Sequence, residues 1–292
     1  MSTAARHKGL RVYTLMLLLG AIVAASMAPL ANVPGQVAGL VALLPCVIWV
    51  VVHSRIVRGG RTTARFLCIA AGIVLVIEIL ALAVSANFHA PAAPSMLGLP
   101  LHVMVAWVIY LYAGMAVTAA LIQPGPTWWG AIPFSGVAAI ATTALDLIAD
   151  PVGVGLGSFV YRRGGPFMRE IVGANHAHGI PLLNYGTWLV VAASAYVVFW
   201  LGTRTTVEPP VRGRLEALLF YTTAFVAPAI MSVRLGHPEL LVIGGVPVAL
   251  IASLVAHRLI ADRRARTLTI RRRSERARVA SLAQRRSANH LR

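Results

Sequence analysis

Apolar residues along the chain form eight runs, each close to the length that a membrane-spanning helix needs. A helix crosses the hydrocarbon core of a bilayer with about 20 mainly apolar residues. The runs are Val12–Val33, Gln36–His53, Phe66–Asn87, Gly98–Ile122, Trp128–Ala149, Pro181–Gly202, Leu215–Val233 and Leu240–Leu259. The pattern predicts an all-α protein, a polytopic membrane bundle of about eight transmembrane helices.

The composition supports this class and excludes several others. Of the 292 residues, 58% are hydrophobic and 12% are charged, and the mean hydropathy is +0.76. Soluble domains carry about 25% charged residues, so a conventional soluble enzyme and a disordered chain are both disfavoured. We expect one transmembrane helical domain, residues 1–261, followed by a basic tail, residues 262–292.

The basic residues lie asymmetrically about the predicted spans. With eight spans, twenty-two lysines and arginines fall on the face that holds the termini, and four fall on the other face. The positive-inside rule therefore places both termini in the cytoplasm. The tail carries eleven arginines against two acidic residues, which is typical of a segment that binds anionic membrane lipids. It lacks aromatic residues and a recognition motif, so we predict no nucleic-acid partner.

Among the nine acidic residues, three that lie in or beside apolar runs are candidates for chemistry. Glu78 is inside the third run, Asp146 is near the outer end of the fifth, and Asp150 follows one helical turn later. A charged side chain in a bilayer is costly, so such residues face the bundle interior and are commonly functional. Two structural alternatives remain open: Glu78 makes an interhelical hydrogen bond, or Asp150 with Pro151 ends a helix.

These acids lie at a similar depth to several histidines. The third and fifth runs both lead outward, so Glu78 and Asp146 belong to the outer half of the membrane. His102, near the start of the inward fourth run, lies at the same level. His176 and His178 belong to a long glycine-rich loop that we expect to cover the cavity as a lid. A His-x-His spacing alone is a weak metal motif, and we predict no metal site.

The remaining motifs narrow the chemistry. The sequence has no Gly-x-Ser-x-Gly, Walker or dinucleotide-binding motif and no Asp-Asp-x-x-Asp pattern, which disfavours nucleotide hydrolysis and magnesium–diphosphate chemistry. Most tryptophans lie near the ends of the runs, as in the aromatic belts of membrane proteins. In an alternative interpretation, Trp188 and Tyr185 line a cavity and stabilise a carbocation.

Two segments carry a resemblance to a known family. The stretches Asp146–Val152 and Gly179–Trp188, with Glu78 and the Gly98–Leu101 opening of the fourth run, resemble the membrane carotenoid biosynthesis family, whose members include carotenoid hydratases. The resemblance covers roughly residues 66–240. It implies a multi-pass protein of the plasma membrane that acts on a carotenoid or another isoprenoid lipid, alone or beside other enzymes of the carotenoid pathway.

The resemblance also implies a reaction that needs no cofactor. Hydration of a terminal C=C bond of an acyclic carotenoid end requires an acid that protonates one carbon and a base that accepts a proton from the attacking water. We expect Asp146 to be the acid and Glu78 or Asp150 the base. Asn184 and His102 orient water or a carboxyl group, together with Trp188, His176 and His178.

Three other functions remain open from the sequence. A carotenoid cyclase shares the protonation step with a hydratase. A non-enzymatic transporter or lipid-handling protein uses intramembrane acids as a proton relay. A scaffold of a carotenoid-producing complex uses the basic tail to bind lipid or a partner. Conversion of the carotenoid distinguishes the enzymes from the other two.

Overall fold

The structure is a computed structural model in which the described residues are helical for the most part. It describes residues 9–20, 35–83, 87–89, 95–122, 127–156, 159–161, 165, 179–203 and 211–290. The helices are α1 Gly9–Gly20, α2 Gly35–Arg58, α3 Gly60–Ala83, α4 Leu101–Leu121, α5 Trp128–Gly155, α6 Leu182–Thr203, α7 Val211–Arg234 and α8 Leu240–His290. The strands are β1 Asn87–His89, β2 Ser95–Met96, β3 Leu99–Pro100 and β4 Phe159–Tyr161.

The predicted all-α membrane bundle is confirmed. Six of the described helices are long and apolar enough to cross a membrane: Gly60–Ala81, Leu101–Leu121, Trp129–Gly155, Leu182–Thr203, Gly213–Arg234 and Leu240–Thr269. The first predicted run begins within α1, and residues 21–33 of it lie outside the described part of the chain. The location of both termini in the cytoplasm remains a prediction.

Helices α4 and α5 form the centre of the bundle. In their most apolar windows, 72% of the α4 residues and 67% of the α5 residues are buried, against 22% for α3 and for α8. Helix α5 packs against α4, α6, α7 and α8. A polar group on α5 is therefore shielded from lipid on most sides, which suits a site inside the membrane.

Small and hydroxylated residues bring α4 and α5 close together. A side-chain carbon at Gly114 of α4 would lie 2.8 Å from the Ala138 carbonyl oxygen of α5 and would also clash with Thr142. The Thr142 hydroxyl hydrogen-bonds the Tyr196 hydroxyl of α6 over 2.5 Å, and Tyr196 donates to the Leu111 carbonyl over 2.7 Å. Close backbone approach and buried hydrogen bonds of this kind are typical of membrane helices.

The prediction that Asp150 and Pro151 end the fifth helix is wrong, and so is its predicted end at Ala149. Helix α5 continues through Pro151 to Gly155. A proline inside a helix removes one backbone hydrogen bond and costs about 3 kcal/mol. Packing on both sides offsets this, because Val152 joins a buried cluster with Leu240 and Val154 joins another with Tyr161. Asp150 is therefore a helical residue, one turn after Asp146.

Short backbone pairings organise the part of the α5–α6 connection that the structure describes. Strand β4 pairs antiparallel with β1, which follows α3, and Val160 lies opposite Phe88. Farther along, the Gly165 N–H donates to the Gly179 carbonyl over 2.7 Å. A side-chain carbon at Gly165 would lie 2.6 Å from the Pro181 nitrogen, so this close approach requires glycine. The two pairings fix β4 against the end of the bundle.

The last helix continues well beyond its apolar part. Helix α8 has 51 residues and includes most of the basic tail. The Arg214 side chain of α7 contacts Asp262 over 2.5 Å, and Arg258 lies 3.5 Å from the same carboxyl group. The domain boundary predicted between residues 261 and 262 stays a prediction and lies within α8.

Candidate active site

Two carboxyl groups on one face of α5 form the centre of the candidate site. Asp146 is 0% exposed and Asp150 is 8% exposed. Residues four apart lie on the same face of a helix, and the two carboxyl groups lie within hydrogen-bonding reach of each other. Neither forms a salt bridge with a residue in the described ranges. Two neighbouring carboxyl groups without a cation repel if both ionise, so they share a proton.

Asn184 connects the two carboxyl groups from the neighbouring helix. Its amide nitrogen donates to Asp150 Oδ2 over 2.5 Å and lies 3.5 Å from Asp146 Oδ2. Asn184 belongs to the first turn of α6, beside the C-terminal end of α5, because the two helices pack antiparallel. The structure therefore brings together three residues that the sequence singles out.

Tyr161 also contacts Asp150, and nothing in the sequence singles it out. Its hydroxyl donates to Asp150 Oδ2 over 2.5 Å, and its side chain is 4% exposed. Burial, together with the nearby charges of Asp150 and Asp146, raises the pKa of Tyr161 well above its usual value. The phenol therefore remains a hydrogen-bond donor at physiological pH. Val154, Ile180 and Tyr185 surround it with largely apolar surface.

The two carboxyl groups differ in their surroundings. Asp150 Oδ2 accepts hydrogen bonds from both Tyr161 and Asn184, and such bonds favour the ionised form. Asp146 Oδ1 is buried and has no hydrogen-bond partner among the described residues. This geometry favours a dyad in which Asp150 carries the negative charge and Asp146 carries the shared proton.

Glu78 lies in an aromatic layer next to the dyad. The Trp107 indole N–H of α4 donates to Glu78 Oε1 over 2.8 Å, so the interhelical hydrogen bond considered for Glu78 is present. Glu78 is also near enough to Asp146 and Asp150 to interact with them electrostatically. It therefore combines a structural contact with a position beside the dyad.

Trp107 and Trp188 form the wall of this layer. Their rings are stacked, with centroids 3.3 Å apart and planes at 10°, and both side chains are buried. Tyr110 lies beside Trp188, with ring centroids 6.2 Å apart. Trp107 and Trp188 face into the bundle and not towards a surface aromatic belt, which favours the alternative that Trp188 lines the interior. Aromatic faces of this kind attract a cation.

The predicted histidines contribute less to the observed contacts. Neither ring nitrogen of His102 has a hydrogen-bond partner among the described residues, so His102 is not hydrogen-bonded to the carboxyl groups. His176 and His178 lie outside the described residues. Within the described ranges, histidine, cysteine and acidic side chains form no group of three that is arranged to hold a metal ion.

The arrangement suits proton transfer between buried groups in largely apolar surroundings. Helices α3, α4, α5 and α6 and strand β4 together supply the groups of the site. These groups are the carboxyl groups, an amide and a phenol that hold one carboxylate, and a pair of stacked indoles. Such a set can donate a proton, position a water molecule and stabilise a positive charge on carbon.

Comparison with known proteins agrees with this arrangement. Residues 12–252 match a family described as carotenoid biosynthesis protein. No curated protein and no solved structure is significantly similar to the chain. The family match covers most of the chain, including every carboxyl group of the site and all but the end of the apolar bundle. The chain belongs to the carotenoid biosynthesis protein family, and its apolar helices make it a multi-pass membrane protein.

Proposed function

We propose that the protein hydrates a terminal C=C bond of an acyclic carotenoid end, without a cofactor. The observation that carries the proposal is the asymmetric carboxyl dyad. Asp146 Oδ1 is buried with no hydrogen-bond partner among the described residues, whereas Asp150 is held by Tyr161 and Asn184. An acid that is poised to donate therefore lies beside a base that is fixed in place.

The proposed reaction starts with proton transfer to carbon. The π electrons of the terminal double bond take the proton of the Asp146 carboxyl group, which forms a C–H bond and a tertiary carbocation. The stacked faces of Trp107 and Trp188 stabilise the cation. Water then forms the C–O bond and loses one proton to the Asp150 carboxylate. The product is a tertiary alcohol, heavier than the substrate by one water.

The dyad also explains how the enzyme resets. After one turnover, Asp150 holds a proton and Asp146 is ionised. Because the two carboxyl groups lie within hydrogen-bonding reach of each other, the proton returns directly to Asp146. In this assignment Asp150 is the base, while Glu78 positions Trp107 through the 2.8 Å hydrogen bond. His102, His176 and His178 remain proposed water-positioning residues.

The substrate and the cellular setting follow from the membrane location. The apolar carotenoid enters sideways from the bilayer, and the carboxyl groups meet its end near one membrane surface. We propose the plasma membrane as the location, with both termini in the cytoplasm and the basic tail on anionic lipids beside other enzymes of the pathway. Removal of residues 262–292 should lower binding to anionic lipids and leave the chemistry intact.

Pigment analysis tests the reaction directly. The full chain is expressed in bacteria that accumulate lycopene or γ-carotene, and the extracted pigments are separated by chromatography with mass detection. We expect a product heavier by one water, which Asp146→Asn abolishes. Asp262→Asn is the matched control, because that acid pairs with Arg214 outside the site and should leave the yield unchanged.

Three results contradict the proposal. Full hydration by Asp146→Asn and by Asp150→Asn would remove the dyad from the mechanism. A product of unchanged mass but altered absorbance would instead assign the protonation step to a cyclase. Unaltered pigment, with acid-dependent transport in vesicles, would favour the proton-relay function.

A further inference from the structure

A second polar cluster lies at the opposite end of the bundle, where α2 turns into α3. Residues 55–65 contain four arginines and no acidic residue. Arg55, Arg61 and Arg65 are exposed, whereas Arg58 is partly buried. Helix α6 reaches this end about sixteen residues after Asn184, a distance of roughly 24 Å along the helix. The cluster is therefore separate from the carboxyl site.

One side of Arg58 lies next to a buried hydrogen-bond chain. Its guanidinium is near enough to the Tyr112 hydroxyl to interact with it electrostatically, and that oxygen lies 2.7 Å from His53 Nδ1. His53 Nε2 lies 3.3 Å from the Gly213 carbonyl. Because a carbonyl only accepts, Nε2 carries the ring proton and Nδ1 accepts from Tyr112. The chain thus satisfies Tyr112 and His53.

Two donors on the other side of Arg58 lack an acceptor in the described part of the chain. They are Arg58 Nε and the Trp200 indole nitrogen, and both are buried without a hydrogen-bond partner. The guanidinium carbon lies over the Trp200 ring, 5.8 Å from its centroid. Trp200 is 7% exposed. Arg58 also forms no salt bridge with a described acid.

A group that pairs with these two donors must be a hydrogen-bond acceptor, and it should be negatively charged. Arginine and the indole nitrogen donate hydrogen bonds and accept none, and buried donors are almost always paired. A phosphate oxyanion offers several acceptor oxygens to a guanidinium.

We propose that Arg58 and Trp200 form a binding site for a phosphate oxyanion at this end of the bundle. Trp200 lies in the last turn of the membrane-spanning helix α6, at the level where lipid headgroups meet the protein. The phosphodiester of an anionic phospholipid is therefore the favoured source, and free phosphate presents the same oxygens. This proposal does not depend on the hydratase reaction.

Lipid titration monitored by native mass spectrometry tests the site. The purified full chain is stripped of lipid and titrated with phosphatidylglycerol, with diacylglycerol as the probe that lacks the phosphate. Apart from weaker binding along the basic tail, we expect one phosphatidylglycerol site per chain that depends on Arg58, and none for diacylglycerol. Arg58→Gln should weaken binding by roughly tenfold to hundredfold, as expected for the loss of a hydrogen bond to a charged group. Trp200→Phe keeps the ring and should weaken binding by about tenfold.

Arg61→Gln is the matched control, because it removes one positive charge from an exposed position of the same turn. It should leave binding nearly unchanged. If Arg58→Gln does not fold, Arg58→Lys keeps the charge and removes the Nε donor. Displacement of the lipid by millimolar inorganic phosphate would support the site and assign free phosphate as a competing source. Equal weakening by Arg58→Gln and Arg61→Gln, or no site that depends on the phosphate, would overturn the proposal.

Discussion

Replacement of Tyr161 by phenylalanine probes the dyad without removing a carboxyl group. The change deletes the hydroxyl that donates to Asp150 Oδ2 over 2.5 Å, at a side chain that is 4% exposed. A hydrogen bond to a charged group contributes about 1.5–3 kcal/mol. In the resting dyad this hydrogen bond favours the form with Asp150 ionised and the proton on Asp146, so its loss moves the proton towards Asp150 and depletes the reactive form. Turnover should then fall roughly tenfold to hundredfold, since about 1.4 kcal/mol is tenfold in rate.

The matched control is Tyr221→Phe, which deletes another buried tyrosine hydroxyl. Tyr221 donates to the Ala141 carbonyl over 2.8 Å, a neutral acceptor away from the carboxyl groups. Its loss should cost about 1 kcal/mol of stability and leave turnover within about twofold. Both variants therefore lose a buried hydroxyl, and only Tyr161→Phe loses contact with the site.

The assay measures the hydrated carotenoid formed per unit of membrane protein. Thermal unfolding of each purified variant is recorded alongside, so that a rate change is separated from a loss of folded protein. If Tyr161→Phe turned over as fast as the wild type, Tyr161 would not position the base. Equal losses of turnover in Tyr161→Phe and Tyr221→Phe would attribute both effects to stability.

Three further outcomes are expected. Gly114→Ala should lower the free energy of unfolding by about 1–3 kcal/mol, because the new methyl group pushes α4 and α5 apart. Gly136→Ala is the control and should not lower it, because Gly136 has open space around it. Thermal unfolding of the two variants tests this difference. In the pigment assay, Asn184→Leu should lower the yield of hydrated carotenoid about tenfold or more. Thr187→Val loses only a hydrogen bond to its own helix and should leave that yield unchanged. Burial, with the neighbouring aspartate charges, raises the pKa of Tyr161, so the unfolded chain ionises first as the pH passes about 10. Wild-type stability should therefore fall more steeply above that pH than that of Tyr161→Phe, and equal slopes in unfolding curves would contradict this.

The sequence predicts contacts that follow from local periodicity. Asp146 and Asp150 are four residues apart, so any helix that contains both brings them to one face. The depth of Glu78 and Asn184 follows from the order and direction of the apolar runs, which alternate across a membrane. These regularities need no knowledge of how one helix packs against another.

Contacts that depend on helix rotation or distant backbone pairing could not be predicted. Position near the end of an apolar run gives the depth of Trp107 and Trp188, yet their stacking depends on how α4 and α6 are turned towards each other. Tyr161 reaches Asp150 because β4 pairs with β1, a segment far away in the sequence. The continuation of α5 through Pro151 reflects packing against other helices, which outweighs the local preference of proline.

The close backbone contact between Gly165 and Gly179 has an evolutionary consequence. The chain that leaves the bundle at Gly165 returns to it at Gly179, directly before α6 begins. Insertions, deletions or substitutions between these glycines therefore start and finish at one anchored point. Changes in the length of this segment can therefore be absorbed while Tyr161 and Asn184 keep their distances to Asp150.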